Sequence, residues 1–145
     1  MIVEQRVRYA IYQQTAATGQ VPGFQAVASA CGLDSEDVSA ACRALAEAHV
    51  LILRPDASAL WAAPPFSAVP TPFRVHAGGR VYYAPCAWDA FGIPAALKTD
   101  ASIDAWCPAS GQKLAVGVSD RAAYGDGIIH LEVPARHFWD DIVYT

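Results

Sequence analysis

Lysine is nearly missing from this chain: Lys98 and Lys113 are the only two in 145 residues. Charged residues of all kinds make up 17 %, and ten Lys+Arg face 14 Asp+Glu for a net charge of −4. A protein that coats nucleic acid leans the other way, because phosphate contacts need cations. No apolar run approaches the ~20 residues that a membrane-spanning helix requires. The opening Met-Ile-Val-Glu-Gln-Arg-Val-Arg lacks the basic-then-apolar order of a signal peptide, so the expected location is the cytoplasm. Four cysteines (31, 42, 86 and 107) are then expected as reduced thiols. No two of them form Cys-x-x-Cys, which removes the zinc-ribbon and thioredoxin-like readings. Internal repeats and low-complexity segments are absent. Gly78-Gly79 does not run into a helix, so it is a turn and not a phosphate loop. No cofactor is expected.

What remains is apolar. Hydrophobic residues make up 54 % and mean hydropathy is +0.22, enough to bury a core and to exclude disorder as the main state. The length suits one ordinary domain or two very small ones. The composition reads as α+β, with a three-helix unit over residues 1–63 and a small antiparallel sheet domain over 64–145.

In the first half, Val3, Val7, Ala10 and Ile11 form one helical stripe, which Gly19 and Pro22-Gly23 end. A short helix over about Phe24–Ala30 and the turn Cys31-Gly32-Leu33 follow. Asp34 or Ser35 caps a third helix whose buried face is Val38, Ala41, Cys42 and Leu45. Strands over 50–53 and 59–62 complete the element order of a winged helix. The obvious reading is DNA binding, but the third helix argues against it. Asp34, Glu36, Asp37 and Glu47 stand against the single base Arg43, and such a helix is repelled by phosphate. A structural or interaction role is the better expectation.

Pro64, Pro65, Pro70 and Pro72 predict a stiff connection. Beyond it, strands are expected over 73–76 and 80–83 around Gly78-Gly79, and over 102–107 and 113–118 around Pro108-Ala109-Ser110-Gly111. Another is expected over 128–133, followed by a tail that begins as a helical turn at His137 and ends β-like. Residues 86–97 read as a helix that Gly92 and Pro94 should break or kink.

The chemistry concentrates in Pro85-Cys86-Ala87-Trp88-Asp89. A thiol where a helix begins faces the positive end of the helix dipole, which lowers its pKa and favours thiolate. Residues i and i+3 share a helix face, so Cys86 and Asp89 address one small volume. That pairs a soft nucleophile with a proton carrier. A buried cysteine beside an N-terminal helix aspartate is the plainer alternative. His137, Asp140 and Asp141 have metal-ligand types, but nothing completes a shell, and a helix-end cap with solvated acids accounts for them. His130 reads as a strand residue.

Four blocks, in order and with matching spacing, resemble the organomercurial (alkylmercury) lyase family. They are Phe66-Ser67-Ala68-Val69-Pro70-Thr71-Pro72-Phe73; Cys86-Ala87-Trp88-Asp89-Ala90-Phe91-Gly92-Ile93-Pro94; Cys107-Pro108-Ala109-Ser110-Gly111; and Trp139-Asp140-Asp141-Ile142. The resemblance implies protonolysis of carbon–mercury bonds in a small organomercurial substrate. Cys86 would bind Hg(II) as thiolate, and Asp89 would handle the proton for the leaving carbon. Mercury is soft and prefers thiolate to oxygen or nitrogen donors. Trp88, Phe91, Phe66 and Phe73 are the candidate pocket lining, each with plain core as its alternative. The family uses a second catalytic cysteine after the Trp-Asp-Asp-Ile block, and no Cys follows Cys107 here. The expectation is therefore a short member without that segment, with Cys107 the remaining candidate as a second mercury ligand and a structural turn residue otherwise. Two other functions stay open: an isomerase, cyclase or lyase acting on an organic molecule, and a non-enzymatic thiol-based sensor or regulatory module. Neither nucleic acid nor membrane is an expected partner.

Overall fold

Val7, Ile11 and Thr15 recur at every fourth position and are the buried stripe of α1 (Val3–Thr18) in the computed structural model, which describes residues 2–145. The Thr15 hydroxyl is satisfied by donating to the Ile11 carbonyl at 2.7 Å. Gly19 ends the helix at φ 85°, and a Cβ there would lie 2.7 Å from the Val81 carbonyl oxygen. Both the turn and the close approach exclude a side chain. Two helices follow, α2 (Phe24–Cys31) and α3 (Ser35–Glu47); the Asp34 side chain caps α3 by accepting from the Asp37 amide at 2.8 Å.

A small antiparallel sheet comes next, in the order β1 (Ile52–Leu53), β2 (Leu60–Ala63), β3 (Phe66–Ser67). β3 lies inside the segment expected to be only a stiff linker. The chain turns at the cis Pro64–Pro65 bond, and Phe66 pairs back with Ala63. The prolines thus close a hairpin, and β3, by sequence part of the second half, pairs into the first half's sheet.

The second sheet is antiparallel in the order β5 (Arg80–Ala84), β4 (Phe73–Ala77), β6 (Ala101–Trp106), β7 (Lys113–Ser119), β8 (Ala122–Tyr124). Alternation sends Val75, Ala77, Tyr82, Ala84 and Ile103 inward. Helix α4 (Ala87–Leu97) covers that face with Ala90 and Ile93. Tyr12 and Val21 pack against both core clusters, and the Tyr82 hydroxyl donates to the Ala16 carbonyl at 2.8 Å. The three-helix unit and the sheet are therefore welded along α1.

Several expectations need correction. Gly92 and Pro94 do not break α4. Pro94 sits in its last turns, where one lost amide is tolerated. Gly92 faces Pro65, whose Cβ would stand 3.1 Å from an added Cβ, so this glycine serves close packing. Residues 128–133 form no strand. β8 pairs with the Gly117–Ser119 end of β7, and the chain beyond it continues as turns and irregular backbone without joining the rest of that edge. β8 itself escaped notice because Asp120 and Arg121 (φ 50° and 65°) make the reversal without glycine. The tail does not end β-like; after a 3₁₀ turn at Ala135–His137, the Thr145 amide closes a turn on the Asp141 carbonyl.

Candidate active site

Strand β5 ends at Ala84, whose carbonyl accepts from the Thr71 hydroxyl at 2.6 Å. Pro85 then delivers Cys86 to the N-cap of α4 in extended conformation (φ −149°, ψ 175°). The Asp89 amide donates to Cys86 Sγ at 3.5 Å, and Sγ approaches Asp89 Oδ2 at 3.6 Å. Cys86 is thus a side-chain N-cap, with a thiol in the place of the usual hydroxyl. It holds sulfur and carboxyl together without any other residue.

The electrostatics differ from the expectation of a low thiol pKa. Burial pushes Cys86 above its ordinary value. The amides of Asp89 and Trp88 pull it down, the Asp89 carboxylate pushes it up again, and the net is upward. The helix N-terminus is thus outweighed by desolvation. Burial also raises Asp89, against a smaller lowering by its bond to Cys86. Burial disfavours the charged form of each group, and the contact between them lets thiol and carboxylate share a proton.

The pair opens into a cleft of about 590 Å³. Trp61, Phe73, Trp88, Phe138 and Trp139 supply aromatic surface, and Ser67 and Thr71 supply hydroxyls. Trp88 stands at the rim, 64 % exposed. Of the four expected lining residues, the structure brings Trp88 and Phe73 to the cleft. Phe66 and Phe91 do not line it. Phe66 is buried against Tyr82, with ring centroids 5.6 Å apart, and against Tyr12 at 6.3 Å; Phe91 packs on the same core. Their spacing on β3 and α4 turns them inward. Cys107 is not in the cleft wall either, although its neighbour Pro108 is. Its amide and carbonyl close the 107–112 turn with Gln112 and Gly111. The Ser110 hydroxyl holds its half-buried thiol below the ordinary value. Cys86 is the one sulfur lining the cleft among the described residues.

The far wall was not anticipated. It is the segment from Ile129 to Thr145, which carries Leu131, Val133, Phe138, Ile142 and Val143 along the opening. Its signal in the sequence was an apolar run with no strand partner. His137 and Asp140 pair with each other at 2.8 Å, and Asp141 accepts from the Tyr144 amide at 3.1 Å. They shape the turn, and among the described residues no group of three or more His, Cys, Asp or Glu is placed to hold a metal ion.

The alkylmercury lyase family model matches residues 66–145, more than half of the chain and all of the cleft's second-half residues. The chain belongs to the alkylmercury lyase family. Among solved structures, a crystal structure of the mercury-bound form of MerB2 superimposes with a TM-score of 0.63 at 22 % identity. The match covers 84 % of this chain and 58 % of that one, so this lyase-family chain spans little more than half the length of that relative. That likeness is one of fold. A search among curated protein sequences finds no match.

Proposed function

We propose that the protein is an organomercurial lyase-like enzyme that protonolyses a carbon–mercury bond, with Cys86 as nucleophile and mercury ligand and Asp89 as proton carrier. The carrying observation is the Cys86–Asp89 contact at 3.6 Å at the mouth of an apolar cleft, in a chain of the alkylmercury lyase family.

The chemistry follows from the shared proton. As R–Hg–X enters, Cys86 Sγ bonds to mercury, X⁻ leaves, and the thiol proton passes to the Asp89 carboxylate. Sulfur donation through mercury makes the attached carbon more basic. Asp89 then gives that proton to carbon, the C–Hg electron pair becomes the new C–H bond, and R–H departs. Mercury stays on Cys86 as Hg(II) until thiols in solution remove it. Raised pKa values suit this sequence, because the pair keeps its proton at neutral pH until mercury displaces it. The apolar lining of the cleft suits a step that builds little charge.

The test is release of benzene from phenylmercury in excess low-molecular-weight thiol, comparing wild type with Cys86→Ser. Turnover by wild type and none by the variant is the expected result. No benzene from wild type defeats the proposal. A second reading, an isomerase, cyclase or lyase on an organic molecule, is favoured by Cys86 being the sole sulfur in the cleft among the described residues. It predicts that Hg(II) titration protects only one thiol, weakly, and that wild type releases no benzene.

A further inference from the structure

The cleft wall formed by residues 129–145 has an unusual attachment. Among the described residues, every hydrogen bond and ion pair of residues 126–145 stays within the segment: His137 to Pro134, Phe138 to Ala135, Asp140 to His137, Tyr144 and Thr145 to Asp141, and Arg136 to His137. Among the described residues, no backbone ladder ties this strap to either sheet. None of its side chains belongs to a core cluster. Several apolar ones are exposed, with Ile128 at 96 % and Tyr144 at 72 %. Side-chain contacts alone must hold it where it walls the cleft.

One such contact has defined geometry. The Trp139 ring, part of the cleft wall, stacks on the His49 imidazole with centroids 4.3 Å apart and planes 1° from parallel. His49 belongs to the three-helix unit, at the exit of α3. The Val50 amide reaches the Leu45 carbonyl at 2.9 Å and the His49 amide reaches Ala46 at 3.0 Å, which is a Schellman motif. His49 occupies its left-handed position at φ 60°, where glycine ordinarily serves. A residue with a ring stands where the backbone favours none, and that ring meets the strap.

We infer that His49 is a positioning residue for the active site: its stack with Trp139 anchors the strap over the Cys86–Asp89 cleft and links the three-helix unit to the chemistry. His49 does not line the cleft. It sets how long the wall stays in place and so how well an apolar substrate group is enclosed. The role in turnover rests on the lyase reading above; the anchoring does not.

The experiment therefore reads the strap without turnover as well. Wild type, His49→Ala and His49→Phe are compared by hydrogen exchange of residues 126–145 and by the rate of Cys86 carbamidomethylation, mapped by peptide mass spectrometry. Loss of one aromatic stack predicts about a two- to tenfold rise in both rates in His49→Ala. His49→Phe, which restores a stacking ring, should return both towards wild type. Trp139→Ala should reproduce the His49→Ala effect while amides of α1–α3 keep their protection, which separates anchoring from unfolding. With phenylmercury, His49→Ala should raise KM by a similar factor and leave the single-turnover rate at saturation unchanged. Unchanged exchange and alkylation in His49→Ala, or a His49→Phe variant no better than His49→Ala, overturns the inference. A wild type that releases no benzene but shows the exchange and alkylation pattern removes the lyase reading and leaves the anchor standing.

Discussion

Replacing Asp89 by asparagine should separate activity from stability. The substitution keeps the size of the side chain and removes its ability to carry a proton. Asp89 Oδ2 is the proton partner of Cys86 Sγ at 3.6 Å, and among the described residues no ion pair neutralises it. General acid catalysis of this kind contributes about 10²–10⁴-fold, or about 3–5 kcal/mol of barrier. Single-turnover benzene release should fall by that factor. Stability should move the other way. Burial raises the Asp89 pKa in the folded protein above its unfolded value. The folded state then holds the proton more tightly, so the contribution is fully present at low pH and is lost as pH rises through the folded pKa. At neutral pH the wild type carries that cost and the asparagine variant does not. Thermal unfolding at pH 7 should show a higher Tm for Asp89→Asn, and the wild-type decline in stability above the carboxylate range should vanish in it. A variant that is less stable at pH 7 and retains activity within tenfold would refute the reasoning, since Asp89 would then be a structural cap only.

Other outcomes follow from the same structure. Ile93→Ala empties a fully buried site between α4 and the sheet and should cost about 2–5 kcal/mol in urea unfolding, with a lowered midpoint and an unchanged slope. Iodoacetamide should modify Cys107 first, whose thiol is half-buried and held low by Ser110, while Cys42, buried and pushed up to about 11, should react only after unfolding; Cys107→Ser should leave benzene release unchanged. The alkaline limb of the pH–rate profile should lie above the ordinary thiol value, because burial makes Cys86 keep its proton as pH rises. A limb at or below pH 8 would mean a thiolate stabilised as the bare helix N-terminus predicts.

The α1 and α3 stripes, the Asp34 cap and the Gly78-Gly79 reversal were legible because each is a local rule satisfied locally. The Cys86–Asp89 contact was legible for the same reason: a cap and its third residue meet without help from the rest of the fold. What failed depended on partners distant in sequence. Whether residues 128–133 become a strand depends on a distant edge that the run itself does not display, and β8 (Ala122–Tyr124) pairs with β7 through a turn with no glycine to announce it. Phe66 and Phe91 read as pocket or core with equal justice, and the fold decides: Phe66 packs on Tyr12 and Tyr82, and Phe91 packs on the same core. The sign of the Cys86 shift was misjudged because burial, which sequence does not display, outweighs the amides that it does.

The central claim is that Cys86 takes the mercury while Asp89 passes a solvent-exchangeable proton to carbon. One equivalent of phenylmercury, reacted with the protein in D₂O, tests it directly by mass spectrometry of the benzene and of the Cys86 peptide. The account predicts monodeuterated benzene at up to one equivalent, mercury retained on the Cys86 peptide, and neither product from Cys86→Ala. Absence of benzene from wild type, or equal release from Cys86→Ala, would contradict it.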